Sequence, residues 1–87
     1  MKKSYAMARK MRDQTQYIMM PKIRYAQDGH SYVGYDIAAY DCFKRDITAT
    51  VPDVTPDRNL ALRMCWRFNK YQLEPCHLLD AIHDMLN

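Results

Sequence analysis

"VPDVTPDRNLALRMCWRFNKYQ", residues 51–72, is the stretch on which the fold turns. Upstream of it, apolar residues fall on every second position; inside it they begin to fall on every third or fourth. Thr55 is a good helix N-cap, and Pro56 stands where a missing N–H costs nothing. Asp57 lies in the first turn, where a negative charge favours the helix dipole. Ala61, Met64, Cys65 and Phe68 then recur at i, i+3, i+4 and i+7, with Leu60 and Tyr71 beside them. The spacing predicts an amphipathic helix running from Pro56 to Tyr71, within a few residues at each end.

Working back from residue 51, the period is two. Tyr17, Met19, Ile23 and Tyr25 share one parity, and Asp28-Gly29 then signals a two-residue hairpin. Val33, Tyr35, Ile37 and Ala39 share a face on the next segment; Phe43, Ile47, Ala49 and Val51 do so on a third. Three such segments predict an antiparallel meander with one buried face. Pro21 cannot donate to a ladder, which assigns the first strand to an edge or gives it a bulge. A second reversal is needed near Asp41, though no glycine marks it. Working forward from residue 72, a short link leads to Pro75, which opens a second helix. Leu78, Leu79, Ile82, Met85 and Leu86 lie on one side of it. The fold expected is α+β: a three-stranded antiparallel meander followed by a helical hairpin packed on one sheet face, in the order β-β-β-α-α.

The chain has 87 residues, room for one small domain whose core is thin. Deep substrate pockets are hard to build in such a core, and no phosphate loop, GxGxxG or paired catalytic carboxylate is present. No enzyme is expected. Three scattered cysteines, Cys42, Cys65 and Cys76, form no C-x-x-C pair, so neither a disulfide framework nor a zinc knuckle is suggested. No apolar run follows the basic N-terminus as a signal peptide or membrane span would. These features together predict a cytoplasmic protein with no membrane partner. The formal net charge of +3 is unevenly spread. Lys2, Lys3, Arg9, Lys10 and Arg12 against Asp13 put +4 in the first thirteen residues and leave −1 for the rest. Residues 1–14 read as a basic arm on a nearly neutral domain of residues 15–87.

The densest run of chemically active side chains is "EPCHLLDAIHDML", residues 74–86. On a helical wheel His77, Asp80 and Asp84 form one stripe almost opposite the apolar residues, as an amphipathic surface helix requires. Imidazole and carboxylates at i, i+3 and i+7 can converge on an ion, but one helix rarely completes a shell. The stripe reads as a solvated face, and no metal or cofactor is expected. Cys65 belongs to the apolar stripe of the first helix and reads as core. Cys76 opens a helix, where thiolate character can rise, but no oxyanion-forming glycine turn accompanies it.

Two faces remain that can bind something. Leu62 and Trp66, at i and i+4, fall on the flank of the first helix with Arg63 and Lys70 beside them, the composition of a protein-binding hot spot. Trp66 has an alternative place, packed under the arm or the edge strand to extend the core. On the sheet, Lys22, Arg24, Tyr32, Tyr40 and Lys44 share the parity opposite to the core, interrupted by Asp36 and Asp46. Basic residues interleaved with tyrosines can stack bases and touch phosphates.

From "YVGYDI" at 32–37 through "VPDVTPDR" at 51–58 to "QLEPCHLLDAIHDML" at 72–86, the chain resembles a family of short, functionally uncharacterised proteins of anaerobic gut bacteria. The matching positions are Asp53, Val54, Thr55, Asp57 and Arg58, then Pro75, His77, Leu78, Asp80, Ile82, Asp84 and Leu86. Trp66, where that pattern has a polar residue, and the basic arm are departures from it. The resemblance brings no activity, cofactor or catalytic residue with it. The function expected is a non-catalytic protein-binding module, a small regulator or inhibitor docking on another protein through Leu62, Arg63, Trp66 and Lys70. An inhibitor of a host enzyme or defence nuclease, carried on a mobile element, is one concrete form, by analogy alone. The alternative is a nucleic-acid-binding protein using Lys2, Lys3, Arg9, Lys10 and Arg12 of the arm together with the outer sheet face.

Overall fold

A computed structural model describes residues 15–87; the basic arm and its five cations lie outside the described residues. The alternating segments form β1 (Thr15–Tyr25), β2 (Ser31–Asp41) and β3 (Asp46–Thr55). They make one antiparallel sheet in the order β1-β2-β3. After it come α1 (Arg58–Lys70), a 3-10 turn (Pro75–His77) and α2 (Leu78–Leu86). This is the β-β-β-α-α order that the change of period predicts. The β1–β2 loop is one residue longer than the Asp28-Gly29 signal implies. Gly29 N–H bonds Ala26 O at 3.0 Å and Ala26 N–H bonds His30 O at 2.8 Å, which leaves three residues in the loop. Gly29 supplies the left-handed φ of +90° that this three-residue form needs. At the second reversal the Asp41 carboxylate does the work of a glycine turn. It accepts from the N–H groups of Phe43 (2.9 Å) and Lys44 (3.0 Å), while Arg45 takes a left-handed φ of 57°.

The core forms where the stripe of α1 meets the sheet. Ala61, Met64, Cys65 and Phe68 are all buried, as their spacing requires. Met64, Cys65 and Phe68 pack with Tyr17, Ile37 and Ala39 of the sheet and with Leu78 and Ile82 of α2. Burial pushes the Cys65 thiol up to about 11. The Tyr17 ring meets Phe68 edge-on with centroids 5.6 Å apart, and its hydroxyl donates to Leu73 O. The Asn69 side chain closes the edge of β1, accepting from Tyr17 N–H at 2.7 Å and donating to Tyr17 O at 3.1 Å. Tyr17 therefore turns its backbone away from β2. Pro21, of the same parity, points its ring nitrogen that way too, so the missing donor costs no ladder bond.

Several sequence expectations are corrected by register and length. Asp57, not Thr55, caps α1: its carboxylate accepts from Asn59 and Leu60 N–H at 3.0 and 3.2 Å. Thr55 ends β3 and its hydroxyl accepts from Asp57 N–H at 3.0 Å, and the helix starts at Arg58, within the expected range. A bulge at Thr48 pairs Ile47 with Tyr40 and Asp46 with Asp41. Ile47 therefore leaves the core face for the outer one, and Asp46 makes the reverse exchange. Phe43 sits exposed in the turn, and Leu79 and Leu86 are about half exposed. Ile23, Tyr25 and Val33 carry the core parity yet are 69%, 73% and 44% exposed. Their strands run about 36 Å, whereas the thirteen residues of α1 span about 20 Å. The helices cover only the Tyr17/Ile37 half. Since β3 pairs with β2 only from Tyr35 onward, the other half projects as a two-stranded ribbon.

Candidate functional site

The flank of α1 takes its shape from the same stripe that buries Phe68. Positions two before and two after Met64 face away from the sheet, which leaves Leu62 40% and Trp66 61% exposed. Among the described residues Trp66 therefore lies on the surface; a place under the arm falls outside them. Four residues on, the Lys70 ammonium stands 4.7 Å from the Trp66 ring centroid and 5.5 Å from that of Tyr71. Arg67 completes the row, 5.9 Å from the Tyr71 ring. Such contacts contribute about 0.5–1 kcal/mol each at exposed sites. They pair each aromatic face with a positive charge. Arg63 is exposed on the same helix.

Arg67 and Tyr71 were missed by sequence reasoning, which assigned Tyr71 to the flank of the core. The signal was available: they repeat at i, i+4 the Trp66–Lys70 pair one position along. Both also rim a shallow groove of about 580 Å³ between α1 and α2, floored by Phe68, Leu73, Ala81 and Met85, with Asp84 on its far side. The left-handed Gln72, with φ 53°, shapes that groove by closing α1. Gln72 N–H bonds Asn69 O at 3.3 Å and Leu73 N–H bonds Phe68 O at 3.0 Å. This is the Schellman arrangement, with glutamine where glycine is usual.

The outer-face set is divided by the structure. Lys22, Arg24 and Tyr32 gather at the base of the projecting ribbon, while Tyr40 lies at the opposite end and Lys44 in the second turn. The centre of the first group is Asp36, only 1% exposed although it points away from the helices. Arg24 Nη2 bonds its Oδ1 at 2.8 Å, Lys22 Nζ stands 3.4 Å from Oδ2, and Asp53 N–H donates to Oδ1 at 2.8 Å. Burial pushes the Asp36 carboxyl up, but these three donors outweigh it and hold it below the ordinary carboxylate value. Tyr32 is similarly engaged, its hydroxyl donating to Asp53 Oδ2 at 3.0 Å. Asp53, at φ 49°, sits in a second irregularity, where three residues of β3 oppose the one residue Asp36. A Cβ on Gly34 would collide with the Asp53 carboxylate and force it to turn aside. The cations read as phosphate contacts are thus partly spent on a buried carboxylate.

At the far end of the molecule His77, Asp80, His83 and Asp84 are all exposed. One carboxylate oxygen of Glu74, Cys76 Sγ and one ring nitrogen of His77 lie within 4.8 Å of one another, a grouping that leaves Asp80 and Asp84 out. No described helix is long and apolar enough to cross a membrane. No family model matches the chain, and no curated protein or solved structure resembles it significantly.

Proposed function

We propose that this protein is a non-catalytic binding module that docks on another protein through the exposed flank of α1, as a small regulator or inhibitor. The observation that supports this reading is the row Leu62, Trp66, Lys70 and Tyr71, large apolar groups left in water on a rigid helix with cations against them. Trp and Arg are enriched among the few residues that carry most of the binding energy at protein interfaces. A complementary partner offers an apolar pocket for Trp66 with carboxylates at its rim for Arg63, Arg67 and Lys70. The motif positions that resemble the gut-bacterial family fit a structural role: Asp53 accepts from the Tyr32 hydroxyl across the sheet, and Thr55 and Asp57 make the hydrogen bonds of the strand-to-helix corner. The nucleic-acid alternative is disfavoured by the engagement of Lys22 and Arg24 with Asp36.

The test is capture of the partner from native lysate, followed by affinity measurement with Trp66→Ala. The variant should fold like the parent and bind about 30-fold more weakly, the loss of one hot-spot anchor. An unchanged affinity would exclude the flank. Micromolar binding to DNA or RNA with a steep salt slope would replace this reading with the alternative.

A further inference from the structure

We propose that Glu74, Cys76 and His77 form a binding site for a thiophilic divalent metal ion of the zinc class. The site lies on the turn between α1 and α2 and is independent of the docking surface. Three different donors converge there, one oxygen, one sulfur and one ring nitrogen, all within 4.8 Å of one another. In a tetrahedral zinc site with bonds of about 2.0–2.3 Å, neighbouring donors stand roughly 3.3–3.8 Å apart. Closing that difference takes small side-chain rotations. All three residues are exposed.

The backbone beneath them is fixed. Pro75 sits between two of the ligands, and His77 N–H bonds Glu74 O at 2.9 Å. Leu73, one residue earlier, is held by both the Phe68 carbonyl and the Tyr17 hydroxyl. Charge also favours a cation there. No Lys or Arg occurs from Gln72 onward, and among the described residues no ion pair reaches Glu74.

The donor set selects the metal class. Thiolate with imidazole favours zinc and its neighbours over magnesium or calcium, which prefer all-oxygen shells. Three protein ligands leave a fourth position for water or for a donor from elsewhere. Cys76 binds as thiolate and its proton passes to solvent, so affinity tightens as pH rises. The other thiols are placed differently: Cys65 is in the core and Cys42 is partly buried in the second turn.

Titration of the reduced, full-length chain with Co²⁺ tests this directly. Expected are a thiolate-to-cobalt charge-transfer band and intense tetrahedral d–d bands that saturate at one ion per chain and are displaced by Zn²⁺. Cys76→Ser should abolish the charge-transfer band, and Cys42→Ser should leave the spectrum unchanged. His77→Ala should weaken binding by at least the roughly 10–100-fold that loss of a mere outer-shell partner costs. Circular dichroism should show both exposed-site variants folded. The proposal is overturned if the wild type gives only the pale six-coordinate spectrum, if Cys76→Ser keeps the band, or if Cys42→Ser loses it.

Discussion

The two halves of the sheet carry the same alternating pattern and are held by different forces. In the half beneath the helices, Tyr17, Ile37 and Ala39 are buried against Met64, Phe68, Leu78 and Ile82. There the stabilisation comes from apolar area removed from water. In the projecting half, Ile23, Tyr25 and Val33 occupy equivalent positions and face solvent. Beside the β1–β2 ladder, that ribbon is braced on its other face, where Asp36 gathers Arg24, Lys22 and the backbone of Asp53. Alternation in a strand specifies which residues share a side. Whether that side is a core depends on how far the covering layer reaches.

The sharpest way to break this comparison is to cut the covered half. Ile37→Ala removes a fully buried side chain and should cost about 2–5 kcal/mol in urea unfolding. A loss below about 1 kcal/mol would mean the helices do not seal that half. Next is the projecting half: Asp36→Ala takes the acceptor from Asp53 N–H and Arg24 and should cost about 1–3 kcal/mol. If Asp36→Ala costs as much in an Arg24→Met background as in the wild type, the pair is not coupled.

Titration separates the halves further. With its pKa depressed in the fold, Asp36 contributes stability that is complete above the ordinary value of 3.8 and disappears as pH falls through its lower folded value. Tyr17 and Cys65 behave oppositely: raised to about 12 and about 11, they contribute stability that is complete below their ordinary values of 10.0 and 9.0 and lost as pH rises. Unfolding midpoints should therefore fall at the acid end through the ribbon, a slope that Asp36→Asn flattens. At the alkaline end they should fall through the core, a slope that Asp36→Asn leaves alone. A smaller effect is a gain. Gln72→Gly relieves the left-handed residue at the end of α1 and should add about 0.5–1 kcal/mol. Smallest of all, Ile23→Ala should shift stability by about 0.5 kcal/mol or less. A loss approaching that of Ile37→Ala would mean that the ribbon is covered in solution.

The strand order and the buried face of α1 were legible in the sequence because Ala61, Met64, Cys65 and Phe68 repeat without interruption. Local chemistry was harder to read. Thr55 and Asp57 are both good caps, and only the bonds from Asn59 and Leu60 N–H to the Asp57 carboxylate decide between them. The bulge at Thr48 carries no glycine or proline, so the exchange of Ile47 and Asp46 leaves no local mark. Asp36 looked like a solvated residue because burial on the open side of a central strand depends on its neighbours' long side chains. Of the candidate docking residues, Leu62 and Trp66 could be placed on the flank by the wheel. Arg67 and Tyr71 repeat the i, i+4 spacing of Trp66 and Lys70 one position along, so their part was legible as well.

Tyr17 is tied to Asn69 through its backbone and to Leu73 through its hydroxyl, bonds that bridge more than fifty positions of the chain. During synthesis the first strand therefore emerges long before the groups that finish it. Its edge and ring stay available to other chains on a crowded ribosome until α1 and the turn beyond it have been made. The time between translating Tyr17 and translating Leu73 is the window in which a chaperone has most to protect.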